Sequence, residues 1–249
     1  MTTPESRLSG DPGRRPGGGA ALAQVLARPD VWRGDRLAVA TVPALATGLA
    51  ELDAELPGGG WPRGALTELL VDGSGLGEMS LLMPALAEIR EEGGWTLLVA
   101  PPHPLHAPAW AAAGVDLSRL VVASPADGRD ALWAMEQALT SNAPKAVLGW
   151  APQADARAIR RLQVAAATSS AAALLFRPLR AAREASAAPL RLALSAAPAG
   201  RLAVAILKRR GAPLAAPLHL TLPRPTAWRD HGHRSAMAGH PPARTTVCA

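Results

Sequence analysis

From residue 66 to residue 176 the chain alternates short apolar runs with longer stretches in which apolar residues recur every three or four positions. The short runs, at 66–71, 95–100, 119–123, 145–150 and 172–176, have strand length, and each is followed within two residues by a turn former or a charge. The longer stretches predict helices near 81–92, 107–113, 128–141 and 154–168. In the first, Leu82, Ala85, Leu86 and Ile89 fall on one face; in the third, Leu132, Met135 and Leu139 form a core stripe. Strands alternating with helices predict an α/β fold, a mostly parallel twisted sheet flanked by crossover helices. After Phe176 the apolar runs shorten and are punctuated by proline, at 190–195, 202–207 and 217–222. These read as antiparallel additions to the same sheet.

The flanks carry no such rhythm. Residues 1–19 are Gly/Pro-rich and polar and read as a disordered tail; 224–249, with turn formers and scattered charge, read as another. A short helix is expected from Ala20 to Ala27, ending before Pro29, and a peripheral strand at 36–41. The expected folded domain is therefore 20–223. A chain of 249 residues, 49% apolar, suffices for one such domain with a real core.

Composition narrows the setting. The only cysteine is Cys248, which excludes an internal disulfide and a cysteine-based metal site. No stretch reaches the roughly 18 apolar residues of a membrane span, and the N-terminal residues lack an apolar signal core, so a cytoplasmic protein without membrane contact is expected. The net charge of +6 is uneven: residues 177–249 hold 12 Lys/Arg against Glu184 and Asp230, whereas 1–176 hold 14 against 18 acids. A basic C-terminal third suggests a polyanion or an acidic protein surface as partner.

The densest chemical signal is the loop after the first core strand, Asp72-Gly73-Ser74-Gly75-Leu76-Gly77. A strand, a glycine-rich loop and a helix make the layout of a phosphate-binding loop, in which glycine amides surround phosphates, a lysine neutralises them and a hydroxyl holds magnesium. Here Glu78 and Met79 stand where lysine and Ser/Thr are required. A carboxylate repels a triphosphate. Pro84 fits a helix only near its start, so the helix is expected to begin near Ser80. At the helix start the Glu78 carboxylate is expected to occupy the place of a phosphate.

Residues 47–81 resemble the RecA family, in which TG-x-x-x-LD-x-x-L-x-GG-x-P-x-G precedes the phosphate loop. Thr47-Gly48, Leu52-Asp53, Leu56, Gly58-Gly59-Gly60, Pro62 and Gly64 carry that pattern here. Gly114–Pro125, Ala173–Arg180 and Leu202–Pro213 continue the resemblance in order, over about residues 20–223. Within that superfamily the runs ARPDVWRGD, LDAELPGGGWPRGALTELL, WAAAGVDLSRL and ILKRRG look like ImuA. ImuA proteins are RecA-like companions of an inactive Y-family polymerase relative, ImuB, and of an error-prone replicative-type polymerase in damage-induced mutagenesis.

The resemblance implies a RecA-like adaptor without catalytic residues or cofactor. The water-activating glutamate of RecA falls near Pro101, and its magnesium-associated aspartate near Gly149-Trp150. The degenerate loop is Asp72, Gly73, Gly75, Gly77, Glu78 and Met79. Lys208, Arg209 and Arg210 match the basic turn that reaches across the RecA protomer interface and are the expected partner-binding residues. Arg177, Arg180, Arg183 and Arg191 flank the segment matching a mobile DNA-binding loop of RecA. They are candidate contacts to single-stranded DNA through its backbone, with no aromatic interleaved as a stacking platform. The implied partners are RecA, the ImuB-type protein and the error-prone polymerase. His103 and His106 lack a third ligand, so no metal site is expected. Two other readings remain open: a cell-division inhibitor resembling SulA, which shares a reduced RecA-like core, and a DNA-dependent ATPase with an unorthodox loop.

Overall fold

The computed structural model describes residues 43–223. The expected helix at 20–27, the expected strand at 36–41 and both expected tails, apart from these bounds, lie outside the described residues. A two-stranded hairpin comes first: β1 (Ala44–Leu45) pairs antiparallel with β2 (Trp61–Pro62), enclosing the short helix α1 (Ala50–Asp53). The main sheet then follows as β3 (Ala65–Val71), β4 (Trp95–Val99), β5 (Leu120–Ala123), β6 (Pro144–Trp150), β7 (Ala172–Pro178), β8 (Leu190–Ala197), β9 (Arg201–Lys208) and β10 (Leu218–Leu220). Between them run α2 (Glu78–Glu91), α3 (Ala107–Ala112), α4 (Gly128–Ser141) and α5 (Ala156–Ala167). Across the sheet the order is β10-β9-β8-β3-β7-β6-β4-β5.

The faces on which the helices lie follow from the strand order. The chain steps from β3 outward to β4 and β5, then turns back through β6 and β7. Right-handed crossovers put helices of opposite travel on opposite faces. Thus α2 and α3 pack with Leu69 on one side, and α4 and α5 pack with Leu66 on the other. The central strand β3 is buried on both faces, as its nearly unbroken apolar run requires. Met135 and Leu139 lie fully inside the second layer with Ala131, and Leu132 is partly buried at its margin.

The ends of α4 are set locally. The Asp127 carboxylate accepts from the amides of Arg129 and Asp130, both at 2.8 Å, and caps the helix. Asn142 closes it in the left-handed conformation, φ +52°, and its side-chain oxygen accepts from the Ser170 amide at 2.7 Å. Asp155 caps α5 by accepting from Ala158 N–H at 2.7 Å. Asp116, opening a single 3₁₀ turn, is held below the usual carboxylate range, chiefly because the Ser118 hydroxyl donates to it.

Two expectations are corrected. β8 is not an antiparallel addition: it pairs parallel with β3, Glu68 opposite Arg191, because the chain crosses over after β7 instead of turning back. Within the main sheet, antiparallel pairing is confined to β8 with β9 and β9 with β10. The helix after the glycine loop begins at Glu78 and not near Ser80, so Pro84 lies inside it. Pro84 packs against Gly48, where an added Cβ would lie 2.4 Å from the proline Cβ. No described helix is long and apolar enough to cross a membrane.

Candidate functional site: a self-occupied glycine loop

The carboxyl ends of β3, β6 and β7 open into a cleft of roughly 1640 Å³, the usual location of ligands in open α/β sheets. Asp72, Gly73, Ser74 and Glu78 line it together with Trp150 and Arg180. The loop ends on Gly77, φ +92°, which turns the chain into α2 in a conformation that L side chains rarely adopt. A Cβ there would also lie 2.7 Å from Leu222 Cδ1.

Glu78 is the first helical residue, at the positive end of the α2 dipole. Its Oε1 accepts from the Gly75 N–H at 3.1 Å, so the carboxylate folds back onto that loop amide. Its Oε2 is buried without a hydrogen-bond partner among the described residues. Met79 is partly buried and packs against the hydrophobic layer beneath. The two positions that would supply a cation and a hydroxyl therefore supply an internal anion and a core contact. Across the loop, Ser74 Oγ and His103 Nε2 are 3.0 Å apart, which ties the loop to the segment after β4.

The other positions matched to catalytic carboxylates are filled by packing. Ala100 leaves β4 with φ +54° and donates its N–H to Ala123 O at 2.8 Å, and prolines follow it. Gly149 lies so close to α4 that an added Cβ would be 2.1 Å from Met135 Sδ. Trp150 stacks on Phe176, centroids 4.8 Å apart and planes 5° from parallel. Of the acids along the cleft, Asp127 and Asp155 are engaged as helix caps. Among the described residues no group of three or more His, Cys, Asp or Glu is placed to hold a metal ion.

The arginines divide sharply. Arg180 and Arg183 are exposed on the turn after β7. Arg177 and Arg191 are not candidates for DNA contact: they are 4% and 6% exposed. Both converge on Glu68, wholly buried in β3. Arg177 Nη1 donates to Glu68 Oε1 at 3.0 Å, and Arg191 Nε pairs with Glu68 Oε2. A buried charge must be paired, and here the two guanidiniums share the Glu68 carboxylate while Glu184 supplies the second negative charge through Arg177. Other donors of the pair reach Ala154 O at 2.6 Å, Ala181 O at 2.7 Å, Glu184 Oε2 at 2.7 Å and Glu184 O at 3.1 Å, while Arg177 Nε is buried without a partner among the described residues. The four side chains sum to neutrality and staple the β7–β8 crossover onto the sheet.

Sequence reasoning missed Glu68, although one signal was present: a lone acid inside the apolar run Leu66–Val71. The sequence interleaves no aromatic among the four arginines, and the fold brings aromatics from elsewhere into the cleft that Arg180 lines. Trp133, Trp150 and Phe176 line the same cleft as Arg180, brought there from separate elements.

The basic turn is likewise heterogeneous. Lys208 Nζ donates to Ser186 O at 2.9 Å, reaching the crossover. Arg209 pairs with Glu55 Oε2 at 2.6 Å and donates to Ala212 O at 2.7 Å, so it braces the segment just after α1 against the turn and is no free contact. Arg210 is exposed.

Residues 29–149 match the RecA N-terminal domain. Protein RecA of Chlorobaculum parvum is 38% identical over 110 residues, 44% of this chain and 31% of that protein. Protein RecA of Chlorobium chlorochromatii is 34% identical over 129 residues, 51% of this chain and 36% of that protein. Protein RecA of Chlorobium limicola is 30% identical over 169 residues, covering 59% and 48%. The chain thus spans about a third to a half of the length of the curated relatives it matches. Together with the sheet, these matches make the domain RecA-like.

Proposed function

We propose that this RecA-like domain is a non-catalytic adaptor of the ImuA type in damage-induced mutagenic translesion synthesis. It would link RecA, an ImuB-type Y-family polymerase relative and an error-prone replicative-type polymerase. The observation that carries the reading is the Glu78 carboxylate seated on the Gly75 amide at the head of α2. Phosphoryl transfer needs a cation on the phosphates, a magnesium ligand and a residue that orients the nucleophile. Glu78, Met79, Pro101 and Gly149-Trp150 stand at the matched positions and supply none of them. What is left for such a scaffold is surface recognition.

Lys208 and Arg210, solvent-exposed at the end of β9, are the side chains through which we place contact with a RecA protomer. Arg180 and Arg183 are the remaining candidates for non-specific, salt-sensitive contact with single-stranded DNA. The test is reconstitution of the full chain with RecA on single-stranded DNA and with the ImuB-type protein, reading co-sedimentation and phosphate release together. The expected result is co-sedimentation with both and no release of phosphate by the chain alone. Magnesium-dependent turnover lost in Glu78→Ala or Gly77→Ala would replace the reading with an ATPase. Binding to the division tubulin homologue and not to the ImuB-type protein would replace it with a SulA-like inhibitor.

A further inference from the structure

Beyond the cleft, the outer faces of α4 and α5 meet in a second groove of roughly 540 Å³. Arg157, Arg160, Arg161 and Val164 lie along its α5 side at the spacing of one helical face. Val164 is 62% exposed, and Trp133, one turn before the groove-lining Glu136 on α4, is 58% exposed. Arg161 is engaged by Glu136 across the seam. Arg157 and Arg160 make no hydrogen bond or ion pair with any described residue. The seam therefore presents two unengaged cations and a branched aliphatic side chain to solvent, with an exposed indole one helical turn along α4 from the groove.

We infer that this seam is a docking groove for an acidic, amphipathic helical segment of another protein. Its apolar stripe would lie against Trp133 and Val164, and carboxylates one turn apart would meet Arg157 and Arg160. Charge complementarity selects this occupant. The chain's own flanks do not fit: residues 224–249 carry Arg224, Arg229, Arg234 and Arg244 against Asp230, and residues 1–42 hold more arginines than acids. A nucleic-acid backbone would meet the Glu136 carboxylate within the groove and leave Val164 in water, whereas a peptide uses the apolar pair. The adaptor reading assigns neither this surface nor this ligand chemistry, and the inference does not depend on it.

The test uses the full chain and a fluorescein-labelled helical peptide of about four turns, alanine-based, with glutamates one turn apart and leucines on the adjacent stripe. A charge-swapped peptide, lysine for glutamate, and a short single-stranded oligonucleotide are the comparators. Fluorescence anisotropy is expected to show saturable binding of the acidic peptide alone. The Arg157→Glu/Arg160→Glu double variant and, separately, Val164→Glu should each weaken it about tenfold. All these positions are exposed, so unchanged thermal melting verifies the fold. Equal binding of the two peptides, unchanged binding in both variants, or no saturation by about millimolar protein overturns the inference. Oligonucleotide binding that the variants abolish, with the peptide unaffected, reassigns the groove to nucleic acid and also overturns it.

Discussion

The carboxylate of Glu78 and the backbone amide of Gly75, 3.1 Å apart, close the glycine loop on itself. Three glycines in the loop have positive φ, Gly73, Gly75 and Gly77, so the backbone keeps the curl of an anion-binding turn. The anion it holds is its own side chain. A helix start favours a nearby negative charge by about 1 kcal/mol, and here the helix supplies that charge from its first residue.

If the carboxylate competes with external anions, Glu78→Gln should raise affinity for inorganic phosphate or sulfate. Removing one repulsive charge at a helix start corresponds to about 1 kcal/mol, roughly fivefold in affinity. Isothermal titration of wild type and variant measures it. Wild-type protein that already binds phosphate as tightly as the variant would show that the carboxylate does not fill the site.

Glu68 should be far more important to stability than any exposed charge. Glu68→Ala leaves two buried guanidiniums without their shared carboxylate and is expected to cost about 3–5 kcal/mol in urea denaturation. Replacing Glu68, Arg177 and Arg191 together by apolar residues of similar volume should cost much less, since no uncompensated charge remains. Arg180→Glu and Arg183→Glu should stay within about 0.5 kcal/mol of wild type. A mild Glu68→Ala would mean that water reaches the pair.

The glycines of Pro57-Gly58-Gly59-Gly60 differ in what holds them. A Cβ on Gly60 would lie 2.2 Å from the Leu45 carbonyl oxygen, so Gly60→Ala must part β1 from β2. The expected cost is about 3 kcal/mol. Gly59 has open space around it and only its φ of +77° to resist a side chain. Gly59→Ala should cost about 1 kcal/mol. Thermal melting of the two variants ranks them, and the reverse order would contradict the hairpin's close approach.

Lys208 and Arg209 act on the chain itself as well as toward any partner. Arg209→Ala releases Glu55 and should lower stability by about 1 kcal/mol, since the pair is mostly shielded from water. Arg210→Glu should leave melting unchanged and reduce co-sedimentation with RecA. Loss of RecA binding in Arg209→Ala alone, with Arg210→Glu unaffected, would move the contact from Arg210 to Arg209 and the Glu55 segment it holds.

The linear pattern determined the elements, because strand and helix periodicities are local properties of apolar spacing. All eight main-sheet strands and the four longer helices occur near their expected positions. The glycine loop and its missing lysine were equally legible, since a loop between strand and helix is contiguous in the chain. What neighbours in space do was not legible. Whether β8 turned back or crossed over depended on which strand had a free edge, and that edge belonged to β3, more than a hundred residues earlier. Arg177 and Arg191 read as surface cations until the sheet set Glu68 between their strands. Trp133 and Arg157 likewise came to line one cleft only when α4 and α5 packed on one face. Burial and pairing are set by contacts distant in sequence, and only the folded sheet decides them.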